Sequence, residues 1–83
     1  MRHNGHKNWN HWNVSLWINN TEYLYDAARH YVRRSNNLDT AASLLLNHIR
    51  LASSATKEHP PTTPDGAPYT YTSVRAALRG WNG

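Results

Sequence analysis

Histidines and carboxylates are the side chains of this 83-residue chain with the widest chemical reach, and their spacing decides what they can do. His3, His6 and His11 form a loose N-terminal series, but a metal site needs ligands held on a rigid scaffold at set spacings. His3 and His6 fall in a polar stretch with no periodicity, and no Cys or carboxylate completes a ligand set, so they read as solvated and no metal is assigned. Glu22 and Asp26, four apart, share one helix face and read as a solvated pair. His48 stands beside an apolar stripe with no Ser, Cys or paired carboxylate placed next to it, so it reads as a boundary histidine and not as a general base. The chain has no Cys, which removes thiolate zinc sites, disulfides and a cysteine nucleophile together. With no Gly-rich phosphate loop and no G-x-S-x-G turn, no catalytic residue and no cofactor is assigned, and the expectation is a non-enzyme.

The cations point toward binding instead. Nine Lys and Arg against five Asp and Glu give a net charge of +4, spread along the chain without a long basic tract. Arg29, Arg33 and Arg34 close a predicted helix, where cations favour the helix dipole and can also meet a phosphate or an acidic partner. Arg75 and Arg79, four apart, point away from the apolar face of the last predicted helix. Tyr69 and Tyr71 can anchor the exit of the Pro-rich loop in extended form against the core, and either could stack on bases. These seven residues are the candidate partner- or nucleic-acid-binding set.

The elements that must position them follow from periodicity and capping signals. Residues 1–7 read as a flexible tail and 8–83 as one helical domain, near the lower size limit for a core without disulfides or metal. Asn8 caps a first helix to about Ile18, with Trp9, Trp12 and Leu16 on one face and Trp17 beside it. Alternation of Trp12, Val14, Leu16 and Ile18 also suits a strand; the helix is preferred because its face gathers two indoles and ends at Asn19-Asn20. Asn20 or Thr21 starts a second helix, with Leu24, Ala27, Ala28, Tyr31 and Val32 inward, ending near Arg34. Asn37 or Asp39 starts a third, to about Ser53, whose stripe includes Leu45 and Ile49. Residues 54–72 hold all four Pro and form a long loop. Thr72 then caps a short last helix, with Leu78 and Trp81 on its packed face. The expected fold is all-α, a compact bundle of about four helices with a long Pro-rich loop before the last. Its expected core comprises Trp9, Trp12, Leu16, Trp17, Leu24, Tyr31, Leu45, Ile49, Leu78 and Trp81.

The run Asn8-Trp9, Trp12-Asn13-Val14, Leu16-Trp17-Ile18, Asn20, Glu22, Leu24-Tyr25 resembles a family of small uncharacterised tailed-phage proteins with the signature N-(Y/W)-x-x-W-N-V-x-L-W-(I/L)-x-N-D-E-x-L-Y. The chain departs from it at Thr21, where the signature has Asp. Thr63-Pro64-Asp65-Gly66 and the segment to Leu78 are similar to the family's C-terminal part. The resemblance implies an accessory phage-type protein that acts by binding, and the genomic setting suggests anti-defence inhibitors, including those that block CRISPR effectors.

The expected function is therefore a non-enzymatic module that binds and modulates or inhibits a host or viral protein complex through an acidic surface. The alternative is a small basic DNA/RNA-binding protein. No apolar run approaches the ~20 residues needed to span a bilayer, and no signal peptide core is present, so the expected location is the host-cell cytoplasm. The sequence leaves the oligomeric state open.

Overall fold

The computed structural model describes residues 8–54, 56 and 58–79. The N-terminal tail, His3, His6 and Trp81 lie outside the described residues. Among the described residues four helices are formed: α1 (Trp9–Asn20), α2 (Glu22–Arg34), α3 (Leu38–Ala52) and α4 (Tyr71–Leu78). The fold is a small all-α bundle, in which α1 packs against α2 and α4, and α3 packs against the same two helices.

Local chemistry sets the helix limits. Asn8 caps α1, its side chain accepting from the His11 amide at 3.0 Å, and Asn37 caps α3 in the same way, accepting from the Thr40 amide at 2.8 Å. The turn predicted at Asn19-Asn20 stays helical, because Asn19 Nδ2 donates to the Ser15 carbonyl at 2.9 Å and Asn20 Nδ2 to that of Leu16 at 2.8 Å. The break shifts to Thr21 alone, extended at φ −107° and ψ 111°. The last helix starts before the predicted cap Thr72. Thr70 Oγ1 accepts from the Ser73 amide at 3.1 Å, and Ser73 Oγ accepts from the Thr70 amide at 2.9 Å. This reciprocal pair is a capping box; Thr72 has Arg75 at the matching position and cannot build one.

The second half of the Pro-rich loop is a miniature hairpin. Thr62 and Pro68 form an antiparallel bridge, the Gly66 amide donates to the Thr63 carbonyl at 2.8 Å, and the Tyr69 amide donates to that of Pro61 at 2.9 Å. Gly66 has φ +97°, the left-handed residue that follows a tight turn in a three-residue hairpin loop. A Cβ at Gly66 would meet nothing within 4 Å, so backbone conformation alone opposes a side chain there. Gly66→Ala is expected to lower stability by about 1 kcal/mol, read as a urea-midpoint shift without loss of helical circular dichroism.

The core is made of compact side chains. Val14 and Ile18 from α1 meet Leu24 and Ala28 of α2, Ala41, Ala42, Leu45 and Ile49 of α3, Ala67 and Tyr69 of the loop, and Val74, Ala77 and Leu78 of α4. Of the expected core, Leu24, Leu45, Ile49 and Leu78 are buried, while Trp12, Trp17 and Tyr31 are half-buried. Trp9 and Leu16 are corrections: they remain 39% and 37% exposed. Trp9, Trp12 and Leu16 do share a helix face, but Leu16 lies about 200° around α1 from Val14 at 3.6 residues per turn, so that face turns outward. α1 is apolar on two opposite sides, and periodicity alone does not choose between them. The small β-branched side fits among alanines, where indoles would hold the helices apart.

Candidate protein-binding surface

The choice of face on α1 is fixed by a polar clamp. Asn13 is only 1% exposed; its Nδ2 donates to Asp65 Oδ2 at 2.8 Å, and its Oδ1 accepts from Thr63 Oγ1 at 2.6 Å. Thr63 Oγ1 in turn accepts from the Ala67 amide at 3.0 Å, and Trp17 Nε1 donates to Asp65 Oδ2 at 2.9 Å. The two stretches that carry the resemblance, Trp12-Asn13 through Trp17 and Thr63-Pro64-Asp65-Gly66, thus meet. Spacing alone assigns none of Asn13, Thr63 and Asp65 to a site. The available signal was a lone amide amid the apolar side chains of Trp12 and Val14, which requires partners if buried.

With the loop fastened this way, the seven candidate binding residues separate. Arg29, Arg33 and Arg34 come together with His30 and Asp26 around an open depression of about 370 Å³ on the outer side of α2. Arg75 is taken up elsewhere: its Nε donates to Asp39 Oδ1, which also accepts from the Tyr71 hydroxyl at 2.8 Å, joining α4 to the start of α3. Arg79, at the C-cap of α4, is exposed. α4 packs on α1 and α3, so Arg75 and Arg79 belong to a different side from the α2 arginines.

The stacking role read for Tyr69 is corrected. Tyr69 is only 7% exposed, because its ring closes one side of an apolar depression with Tyr23, Leu24, Ile49 and Ala52. Burial, with Tyr23 nearby, pushes its phenol pKa up. Tyr71 keeps an exposed ring, but its hydroxyl is tied to Asp39, which raises its pKa. His48 lies between two aromatics, its Nδ1 3.2 Å from the Tyr31 hydroxyl and its ring centroid 5.7 Å from that of Tyr23. It joins α2 to α3, the boundary position expected of it.

Two carboxylates show where electrostatics hold the bundle. Hydrogen bonds from Arg75 and then Tyr71 hold the Asp39 pKa below its usual value, and bonds from Asn13 and then Trp17 do the same for Asp65. A carboxylate whose folded pKa is depressed contributes stability above its unfolded value, about 3.9, and loses it as pH falls through the folded value. The urea midpoint is therefore expected to hold between neutral pH and about pH 5 and to fall below about pH 4. Asp65→Asn keeps an oxygen acceptor and should flatten this acid limb.

Among the described residues, no group of three or more His, Cys, Asp or Glu side chains comes together to hold a metal. Among them also, no helix is long and apolar enough to cross a membrane.

Fold and surface together define a small helical bundle with a cationic helix face and an outward-turned aromatic face. The chain belongs to DUF7249, a family of unknown function whose model matches residues 1–78. No curated protein and no solved structure matches it.

Proposed function

We propose that this protein is a non-enzymatic accessory protein that binds an acidic surface on a host protein complex and modulates or inhibits that complex. The observation that carries this reading is the gathering of Arg29, Arg33 and Arg34 with His30 on the outer side of α2. Arginine on a firm helical scaffold suits carboxylate recognition, because its planar fork can donate two parallel hydrogen bonds. Exposed Trp9, Tyr23 and Tyr25 on α1 and α2 add the residue types that anchor protein interfaces. The phage setting, the anti-defence or anti-CRISPR role and action in the host cytoplasm rest on the resemblance of residues 8–25 to the tailed-phage signature.

DNA or RNA binding is the second reading, and the same cationic face would carry it. The protein partner is favoured because Tyr69 is buried, Tyr71 is tied to Asp39, and Arg75 is occupied by the same carboxylate. Affinity purification of the full chain from host lysate, with and without nuclease, separates the two. A stoichiometric protein partner that survives nuclease is expected. Recovery of no such partner overturns the proposal, and loss of all bound material on nuclease treatment transfers the face to nucleic acid.

A further inference from the structure

The first turn of α2 borders a second depression, of opposite chemistry to the cationic one. Among the described residues, Tyr23 and Leu24 of α2, Ile49, Ala52 and Ser53 at the end of α3, and Tyr69 of the loop surround about 290 Å³. None of these side chains carries a charge at neutral pH. Its walls are set in advance: Tyr69 is buried, and the Tyr23 ring rests against that of His48, with 5.7 Å between centroids. Two tyrosines over an aliphatic floor suit one apolar side chain, the kind of pocket in which an interface anchor sits.

The two depressions lie along one line of α2. His30 and Arg34, seven and eleven residues after Tyr23, return within about 20° of it at 3.6 residues per turn. Asp26 lines the cationic depression at the end nearer Tyr23, so the positive charge is concentrated farther on, toward Arg29 and Arg34. These arginines stand six and eleven residues beyond Tyr23, about 9–16 Å along the helix axis. An extended chain covers that span in about three to five residues. A segment bridging the depressions passes Asp26 on the way, so its middle is not acidic. We infer that the depression between Tyr23 and Tyr69 is an anchor subsite beside the cationic face, and that the segment recognised is an acidic peptide with one apolar side chain about three to five residues from its carboxylates. The inference rests on the reading of the α2 arginines as a site for an acidic protein and adds the apolar half of what that site recognises. A nucleic-acid backbone repeats its charge at every nucleotide and does not present separate apolar and acidic ends.

Nitrogen-15 NMR titration of the full chain at ~50 mM NaCl tests this, with peptides blocked at both ends. Glu-Glu-Ser-Ser-Ser-Leu and its reverse hold the leucine away from the carboxylates, Ser-Ser-Ser-Leu-Glu-Glu has the same composition with them adjacent, and Glu-Glu-Ser-Ser-Ser-Ser has no anchor. One of the two spaced peptides is expected to bind roughly tenfold more tightly than the adjacent and anchorless ones, the gain from burying one leucine side chain. Its amide shifts should include Tyr23, Leu24 and Ile49 as well as Arg29 and Arg34. Ala52→Leu fills the depression from an exposed helix position. This variant is expected to lose the gain and to keep the anchorless peptide's affinity, which also shows that it is folded. Equal affinity of spaced and adjacent peptides overturns the inference, as does a gain that survives Ala52→Leu. Shifts at Tyr23 and Ile49 that grow with protein concentration in the absence of peptide give the depression to a second copy and overturn it too. Loss of the spacing preference with shifts at Arg29 and Arg34 retained strikes the anchor subsite alone. No shift at those arginines with any acidic peptide strikes the cationic face, and the inference falls with it.

Discussion

Asn13→Ala is expected to destabilise the protein by roughly 3 kcal/mol, the largest effect of any single polar substitution in the bundle. Asn13 is almost wholly buried and makes two side-chain hydrogen bonds, donating to a carboxylate and accepting from a hydroxyl. Removing it leaves the buried Thr63 hydroxyl without its acceptor and takes from Asp65 one of its two donors, while opening space beside Val14. An orphaned buried polar group costs about 1–3 kcal/mol, and the amide removed is itself almost wholly buried. Urea denaturation followed by circular dichroism reads the result. Asp65→Asn, which preserves an acceptor for Asn13 and Trp17, should lose clearly less. Equal losses in the two variants would mean that the clamp does not act through the Asn13 amide.

Charge reversal on α2 is expected to have the largest effect on binding. Arg29→Glu with Arg33→Glu and Arg34→Glu should weaken capture of the protein partner at least about a hundredfold, or ~2.7 kcal/mol, since repulsion replaces attraction at three adjacent points. Fold should be retained, because all three side chains are exposed. Arg79→Glu serves as control: it changes the net charge in the same direction on α4, away from the depression, and should leave affinity within about threefold, as expected for an exposed charge outside the contact. If Arg79→Glu weakened binding as much, general electrostatic attraction would be at work and not a docking face.

Asn8 was legible as a cap, and Asn37 as one of two candidates with Asp39, because capping depends on chemistry within one turn. The inward stripes of α2 and α3 were legible because apolar residues recur at helical spacing along one side, although Tyr23, Tyr25, Leu44 and Leu51 stand outside those stripes. α1 has two apolar sides, and the indoles drew attention to the outer one. Its orientation depends on Thr63 and Asp65, 50 and 52 residues away from Asn13, and a contact of that range leaves no periodic trace. The same holds for the candidate binding set. Arg29, Arg33 and Arg34 are neighbours by helical spacing and stayed together. Arg75 was lost to the set because Asp39 lies 36 residues upstream, and Tyr69 because the loop hairpin folds it inward. Thr72 was passed over as cap for Thr70, since Ser73 completes a reciprocal pair at only one of the two positions.

Thiol accessibility on α1 tests the central claim most directly, because the orientation of this helix fastens the loop, withdraws Tyr69 and leaves the arginines of α2 exposed. The chain has no Cys, so Leu16→Cys and Ile18→Cys each introduce a unique probe. Under native conditions the thiol at position 16 is expected to react with a disulfide reagent at close to the rate of the unfolded chain. At position 18 the reaction should be at least about a hundredfold slower, since it must wait for local opening. The reverse order, or equal fast rates at both positions in a folded chain, would contradict the account.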